Sequence, residues 1–124
     1  MLRAIILVGL GGGVGSIFRY LTTVFVNKYF HTSFPWATFA ANIIGCLIIG
    51  LLLGFFDKHQ LTNPDLKYLF ATGFCGGYTT FSAFAAENMN LFQTNNSPLA
   101  FLYIAASILV GLFAVWAGMM FAKL

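Results

Sequence analysis

The stretch that decides the fold is GFCGGYTTFSAF, which runs from Gly73 to Phe84 inside a long apolar segment. It contains the pair Gly76-Gly77, the adjacent hydroxyls of Thr79-Thr80, and two phenylalanines three residues apart. In lipid, a backbone loosened by glycine and a set of hydroxyls must find partners in neighbouring protein or in a water-filled path. The stretch therefore predicts a transmembrane helix broken in mid-membrane, and it marks the candidate functional site.

The composition indicates a membrane protein, since 60% of the 124 residues are apolar and 7% are charged. Such a chain cannot coat a soluble domain of this size with polar surface. The formal charge is +3, but the six basic residues are scattered and form no patch of the kind that nucleic acid requires. Cys46 and Cys75 lie in apolar runs without metal-binding spacing, so they are interpreted as small buried residues.

Four apolar runs predict an all-α membrane protein with four transmembrane helices in a single domain of residues 1–124. The runs are about 2–26, 34–56, 66–92 and 98–122, and each is long enough to cross the hydrocarbon core. The first run lacks a convincing cleavage site, so we expect it to stay in the protein. The connections are short and polar, and the lysines and arginines favour the side of the termini, which predicts termini in the cytoplasm.

Small residues recur at four-residue spacing in the first run, as in Gly9/Gly13 and Gly11/Gly15. This spacing lets helix backbones approach closely in a membrane, where lipid gives no hydrophobic drive to association. A phosphate-binding loop is the alternative, but no strand precedes the glycines and no P-loop Lys-Ser/Thr follows them. The pattern therefore favours helix packing.

Three polar side chains within the runs need partners. Arg19 must reach the interface, form a pair, or face an aqueous vestibule, where its fixed positive charge would attract anions. Asn42 carries an amide that is costly to bury alone, so it either joins helices or offers N–H donors to a small dehydrated anion. Glu87, the only acid inside a run, would repel an anion unless it were protonated or held by a cation, so the residues alone assign it no role.

The third run places Phe81, Phe84 and Glu87 on one helical face, with Ser82 beside them. An aromatic stripe is usually part of a core. A benzene ring is electropositive at its edge, however, so two rings presented edge-on can also attract an anion weakly enough for it to leave. In the fourth run, Tyr103 and Ser107 share a face, which indicates either a helix contact or a polar lining.

A break at Gly76-Gly77 would free backbone carbonyls in mid-membrane. Carbonyl oxygens are hard ligands that suit an alkali cation, and a kink that serves packing is the alternative. One chain offers too few such oxygens for a cation site, so a site would need a second copy related by twofold symmetry. The glycine pair therefore links a possible cation to dimerisation.

With these motifs in view, GFCGGYTTFSAF, the downstream Glu87, GGGVGSIFRY and the segment around Asn42 closely resemble the Fluc (CrcB) family of fluoride channels. The resemblance covers essentially the whole chain. It implies a passive fluoride channel rather than an enzyme. The implied channel is an antiparallel, dual-topology homodimer in the cell inner membrane. The resemblance also implies two fluoride pathways along the subunit interface and a central structural Na⁺ that is not transported.

The resemblance also assigns roles to residues of this chain. The sodium ligands map to the backbone carbonyls of Gly76 and Thr79, and the vestibule or electrostatic positions map to Arg19 and Glu87. The positions of the fluoride pathway map to Asn42, Phe81, Ser82, Phe84 and Ser107. This chain has Ala83 and Ala85 where hydroxyls are common in the family, so part of the polar track beside the phenylalanines is absent.

Two other classes of protein share parts of this pattern. A small dual-topology, proton-coupled multidrug exporter has a similar length and number of spans, but it uses an acid in its first span, and this first span has none. A membrane scaffold is compatible with the packing motifs alone. It leaves the clustered donors and the aromatic pair unexplained.

Overall fold

The computed structural model describes residues 1–124, and all of its regular secondary structure is helical. The long helices are α1 (Leu2–Tyr29), α2 (Trp36–Lys58) and α5 (Ser97–Ala122). Two shorter helices lie between α2 and α5. Helix α3 consists of three consecutive segments, Pro64–Leu66, the π-helical Lys67–Cys75 and Gly76–Tyr78, and helix α4 is Phe81–Gln93. The all-α fold class predicted from the sequence is confirmed.

Three of these helices, α1, α2 and α5, are each long and apolar enough to cross a membrane. Helices α3 and α4 share the crossing that the sequence predicts for residues 66–92, and neither half reaches the length of about 20 residues that a full crossing needs. The crossing is therefore completed by two helices that meet end to end at Thr79-Thr80.

The break differs in position from the prediction, which put it at Gly76-Gly77. The backbone is extended at Thr79 (φ −88°, ψ 159°) and Thr80 (φ −149°, ψ 118°), whereas the glycine pair stays helical. The glycines serve packing instead, because a Cβ on Gly77 would collide with the backbone of Gly12 in α1. Thr80 begins α4 as its N-cap, and its Oγ1 accepts a hydrogen bond of 3.1 Å from the N–H of Ala83.

The helices pair closely along small residues, α1 with α3 and α2 with α5. Gly11 and Gly15 face the backbone of α3, and a Cβ on Gly15 would lie 2.9 Å from the amide nitrogen of Tyr78. The packing interpretation of this glycine pair therefore holds. Gly9 and Gly13 face open space, with no atom within 4 Å of a Cβ, so the predicted Gly9/Gly13 pair makes no contact within the chain.

Two ion pairs lie at the end of the molecule that carries the termini. Arg3 bonds Asp65 at 2.7 Å, and Lys123 bonds Asp57 at 3.2 Å. They tie the first residues of α1 to α3 and the last residues of α5 to α2. Two of the cations that make this end more basic therefore lie directly against carboxylates.

Candidate functional site

A cavity of about 480 Å³ lies beside the break, between α2, α3, α4 and α5. It brings together residues of four helices that are far apart in the sequence. Most of the predicted site residues line it, and these are Asn42, Gly76, Thr79, Phe81, Phe84 and Ser107. The predicted residues that do not line it are Ser82, Arg19 and Glu87.

Asn42 holds the break in place from α2. Its Oδ1 accepts a hydrogen bond of 2.7 Å from the N–H of Thr80, and its Nδ2 donates one of 3.1 Å to the carbonyl oxygen of Thr80. The amide thus takes the place of the helical partners that an extended residue loses. A primary amide has two N–H donors, so one donor of Asn42 remains without a protein partner beside the cavity.

The carbonyl oxygens that were predicted to hold a cation lie next to this amide. The N–H and hydroxyl of Thr79 both donate to the carbonyl of Cys75, at 3.0 Å and 2.8 Å. Because the N–H of Thr80 is taken by Asn42, the carbonyl of Gly76 loses its usual partner four residues on. No hydrogen bond outside the helices ends on the carbonyls of Gly76 or Thr79, and both residues line the cavity. These hard oxygens fit Na⁺.

The two phenylalanines differ in their surroundings. The rings of Phe81 and Phe84 lie 5.7 Å apart between centroids, inclined at 46°. Phe84 is partly buried and packs edge-to-face on Tyr103 at 4.9 Å, whereas Phe81 is 78% exposed. The chain itself therefore covers one ring of the pair and leaves the other open.

Glu87 is held by two hydroxyls on two other helices. Thr38 of α2 donates to Oε2 at 2.6 Å, and Tyr103 of α5 donates to Oε1 at 2.9 Å. Both donors are buried, and Tyr103 is the largest fully buried side chain. The partners of the Glu87 carboxylate are therefore two hydroxyls, and these bonds connect α4 to α2 and α5. The sequence reasoning missed Thr38, although its position four residues before Asn42 puts it on the same helical face.

The three remaining predicted residues differ in burial and in their polar partners. The Oγ of Ser107 is buried and has no hydrogen-bond partner, although the residue lines the cavity. Ser82 is exposed and shares a hydrogen bond of 3.2 Å with the hydroxyl of Thr80. Arg19 is partly exposed and takes part in neither of the two ion pairs. Ser107 therefore brings to the cavity a hydroxyl that is free to donate to a polar group.

This fold and site define a class: a small multi-pass membrane protein whose broken helix opens a cavity lined by polar groups and aromatic rings. Residues 6–119 match the family described as "CrcB-like protein, Camphor Resistance (CrcB)", and the chain belongs to this family. The resemblance read from the sequence is therefore confirmed.

Relatives of known name match over nearly the whole chain. A fluoride-specific ion channel FluC of Flavobacterium psychrophilum is 52% identical over 122 residues, which are 98% of each chain. A protein of the same name from Azobacteroides pseudotrichonymphae is 42% identical, over 95% of this chain and 94% of its own. Another, from Phocaeicola vulgatus, is 38% identical, over 94% of this chain and 96% of its own.

Proposed function

We propose that the chain is a fluoride-selective ion channel, which lets fluoride leave the cytoplasm passively across the inner membrane and so relieves its toxicity. Family membership and the near-complete match to proteins named as fluoride-specific channels support this function. The observation that carries it is the cavity at the break, where unpaired donors and aromatic rings meet.

The chemistry of the cavity suits a small, strongly hydrated anion. An anion that leaves water must find replacement hydrogen-bond donors, and the free N–H of Asn42 and the unpaired hydroxyl of Ser107 can donate to it. The edges of Phe81 and Phe84 add weak attraction without a full charge, which allows the ion to leave again. No covalent step is required, so the proposed function is transport and not catalysis.

A second copy of the chain completes the proposed pathway. One chain leaves Phe81 78% exposed at the edge of the cavity, so this face needs a cover other than lipid if an anion is to pass. An antiparallel homodimer would supply the cover and would produce two equivalent pathways along the interface. Near the twofold axis, the carbonyls of Gly76 and Thr79 from both copies would hold a structural Na⁺.

The exporter is the alternative class. A proton-coupled exporter needs a carboxyl that is free to bind either a proton or a substrate. In this chain Glu87 is engaged by the hydroxyls of Thr38 and Tyr103, and the first helix contains no acid. These features favour the channel.

Liposomes that contain the purified protein test the function directly. We expect fluoride efflux to exceed chloride efflux by about 100-fold or more, because the larger halide fits the donors and rings less well. Ion-selective electrodes measure both rates, and protein-free liposomes give the background. Chloride efflux as fast as fluoride efflux would exclude the proposal, and proton-driven drug uptake would favour the exporter.

The aromatic pair provides a second prediction. Replacement of Phe81 or Phe84 by isoleucine keeps apolar bulk but removes the ring edge, so each change should lower fluoride efflux about tenfold and leave the dimer intact. Phe113→Ile on α5 is the matched control, since Phe113 is also exposed and contacts Trp116 instead of the site. The fluoride efflux rate measures conduction, and the cross-linking yield shows whether the dimer is intact. Wild-type efflux from both site variants would remove the ring edges from the mechanism.

A further inference from the structure

In the connection between α1 and α2, the side chain of Phe34 packs into the protein. Residues 31–33 are exposed, whereas Phe34 is partly buried and packs against the cluster around Tyr103. The rings of Phe34 and Tyr103 lie 5.2 Å apart in an edge-to-face arrangement at 70°. Phe34 also packs edge-to-face on Phe39 of α2, at 5.5 Å. A residue outside the helices is thus built into the packing of two of them.

Tyr103 connects this side chain to the candidate site. It is fully buried, with Phe34 at 5.2 Å and Phe84 at 4.9 Å, both edge-to-face. Phe84 in turn meets Phe81 at 5.7 Å. The four rings Phe34, Tyr103, Phe84 and Phe81 therefore form a continuous series from the α1–α2 connection to the cavity, which we call the ring series.

The hydroxyl of Tyr103 and its two ring contacts together set the orientation of its ring. The hydroxyl donates to Glu87 at 2.9 Å, so a rotation of Tyr103 would break this bond as well as its two ring contacts. The neighbours of Phe34, Ser33 and Pro35, line a second cavity of about 290 Å³ together with Glu87. The α1–α2 connection thus lies close to both Tyr103 and Glu87.

We propose that Phe34 is a positioning residue for the proposed fluoride conduction, acting through Tyr103 to fix the ring of Phe84 at the cavity. Phe34 does not line the cavity at the break, so its effect passes through the ring series and not through contact with an ion there. Loss of its ring leaves a void beside Tyr103, into which Tyr103 and then Phe84 can turn. The inference rests on the proposed function, since it assigns Phe34 a part in the same conduction.

The test compares Phe34→Leu with two matched variants in liposomes. We expect Phe34→Leu to lower fluoride efflux about tenfold, as for loss of a ring at the site itself, and Phe34→Tyr to restore most of the rate, because it keeps the ring. Phe25→Leu should behave as wild type, since Phe25 is 64% exposed and its ring contacts only Tyr29, at 5.2 Å, outside the ring series. Wild-type efflux from Phe34→Leu, or an equal loss from Phe25→Leu, would overturn the inference.

A double-mutant cycle separates positioning from a general loss of stability. If Phe34 acts through Phe84, Phe34→Leu should slow efflux little further in a chain that already carries Phe84→Ile. Losses that multiply would show that Phe34 acts by another route and would overturn the inference.

The same cycle measured by thermal unfolding in detergent requires no fluoride transport. We expect shifts in Tm that are not additive, because both variants loosen the same Tyr103. Additive shifts would overturn the ring series. Wild-type protein that passes no fluoride, combined with non-additive shifts, would overturn the proposed function and leave the ring series standing.

Discussion

Replacement of Asn42 by alanine should abolish fluoride efflux and lower the free energy of unfolding by about 2–4 kcal/mol. The change removes both hydrogen bonds that close the backbone of Thr80, which is 9% exposed. Each buried backbone group left without a partner is destabilising, and an extended residue cannot recover a helical partner. The variant also loses the free N–H beside the cavity, so conduction fails for a second reason.

Two further variants make this experiment specific. Asn42→Asp keeps an acceptor for the N–H of Thr80 but loses the donor, so we expect stability between wild type and alanine with no fluoride efflux, since a carboxylate repels the anion. Asn88→Ala is the matched control, because this buried amide donates only to Phe84 of its own helix and its Oδ1 has no partner. Efflux and thermal unfolding measure all three. Asn42→Ala as stable as Asn88→Ala would contradict the role in the break.

Gly15→Ala should be strongly damaging, as should Gly11→Ala on the same face of α1. A Cβ at this position collides with the carbonyl oxygen of Phe74 and lies 2.9 Å from the amide nitrogen of Tyr78. Both neighbours are backbone atoms, so α1 and α3 must separate to admit the methyl group. Overpacking of this kind costs about 1–3 kcal/mol, and we expect a clear fall in Tm with loss of efflux.

Gly9→Ala is the control for this prediction, because it adds the same methyl group to the same helix. No atom lies within 4 Å of a Cβ at Gly9, so the substitution meets no obstacle within the chain. Alanine favours a helix over glycine by about 1 kcal/mol, so we expect Gly9→Ala to leave Tm unchanged or to raise it. Of the two substitutions, only Gly15→Ala should therefore lower Tm. Equal shifts would contradict the close contact of α1 with α3.

The break illustrates which parts of the fold the sequence could predict. A glycine pair and adjacent threonines in an apolar run were enough to predict an interrupted helix, but they put the interruption three residues too early. The pair Gly76-Gly77 is compatible both with a kink and with close packing, and only the presence of Gly12 opposite Gly77 decides between them. That contact is between helices, and no local pattern contains it.

The partners of polar residues were also beyond the sequence pattern. The need of Asn42 for partners follows from its amide, but its partner is the backbone of Thr80, 38 residues further along the chain. Glu87 meets Thr38 and Tyr103, which lie on two other helices. The roles that the family assigns to Gly76 and Thr79 remain predictions, as does the dimer.

The two hydrogen bonds between the Asn42 amide and the backbone of Thr80 affect the energetic cost of removing water from an ion. Because a neighbouring helix already satisfies both polar groups of the extended residue, the dipoles around the break are held in place without help from an ion. Alignment that is completed during folding does not have to be repeated at each passage, which is the energetic advantage of a preorganised environment. The protein would thereby spend conformational entropy once, during assembly, and conduct without local refolding.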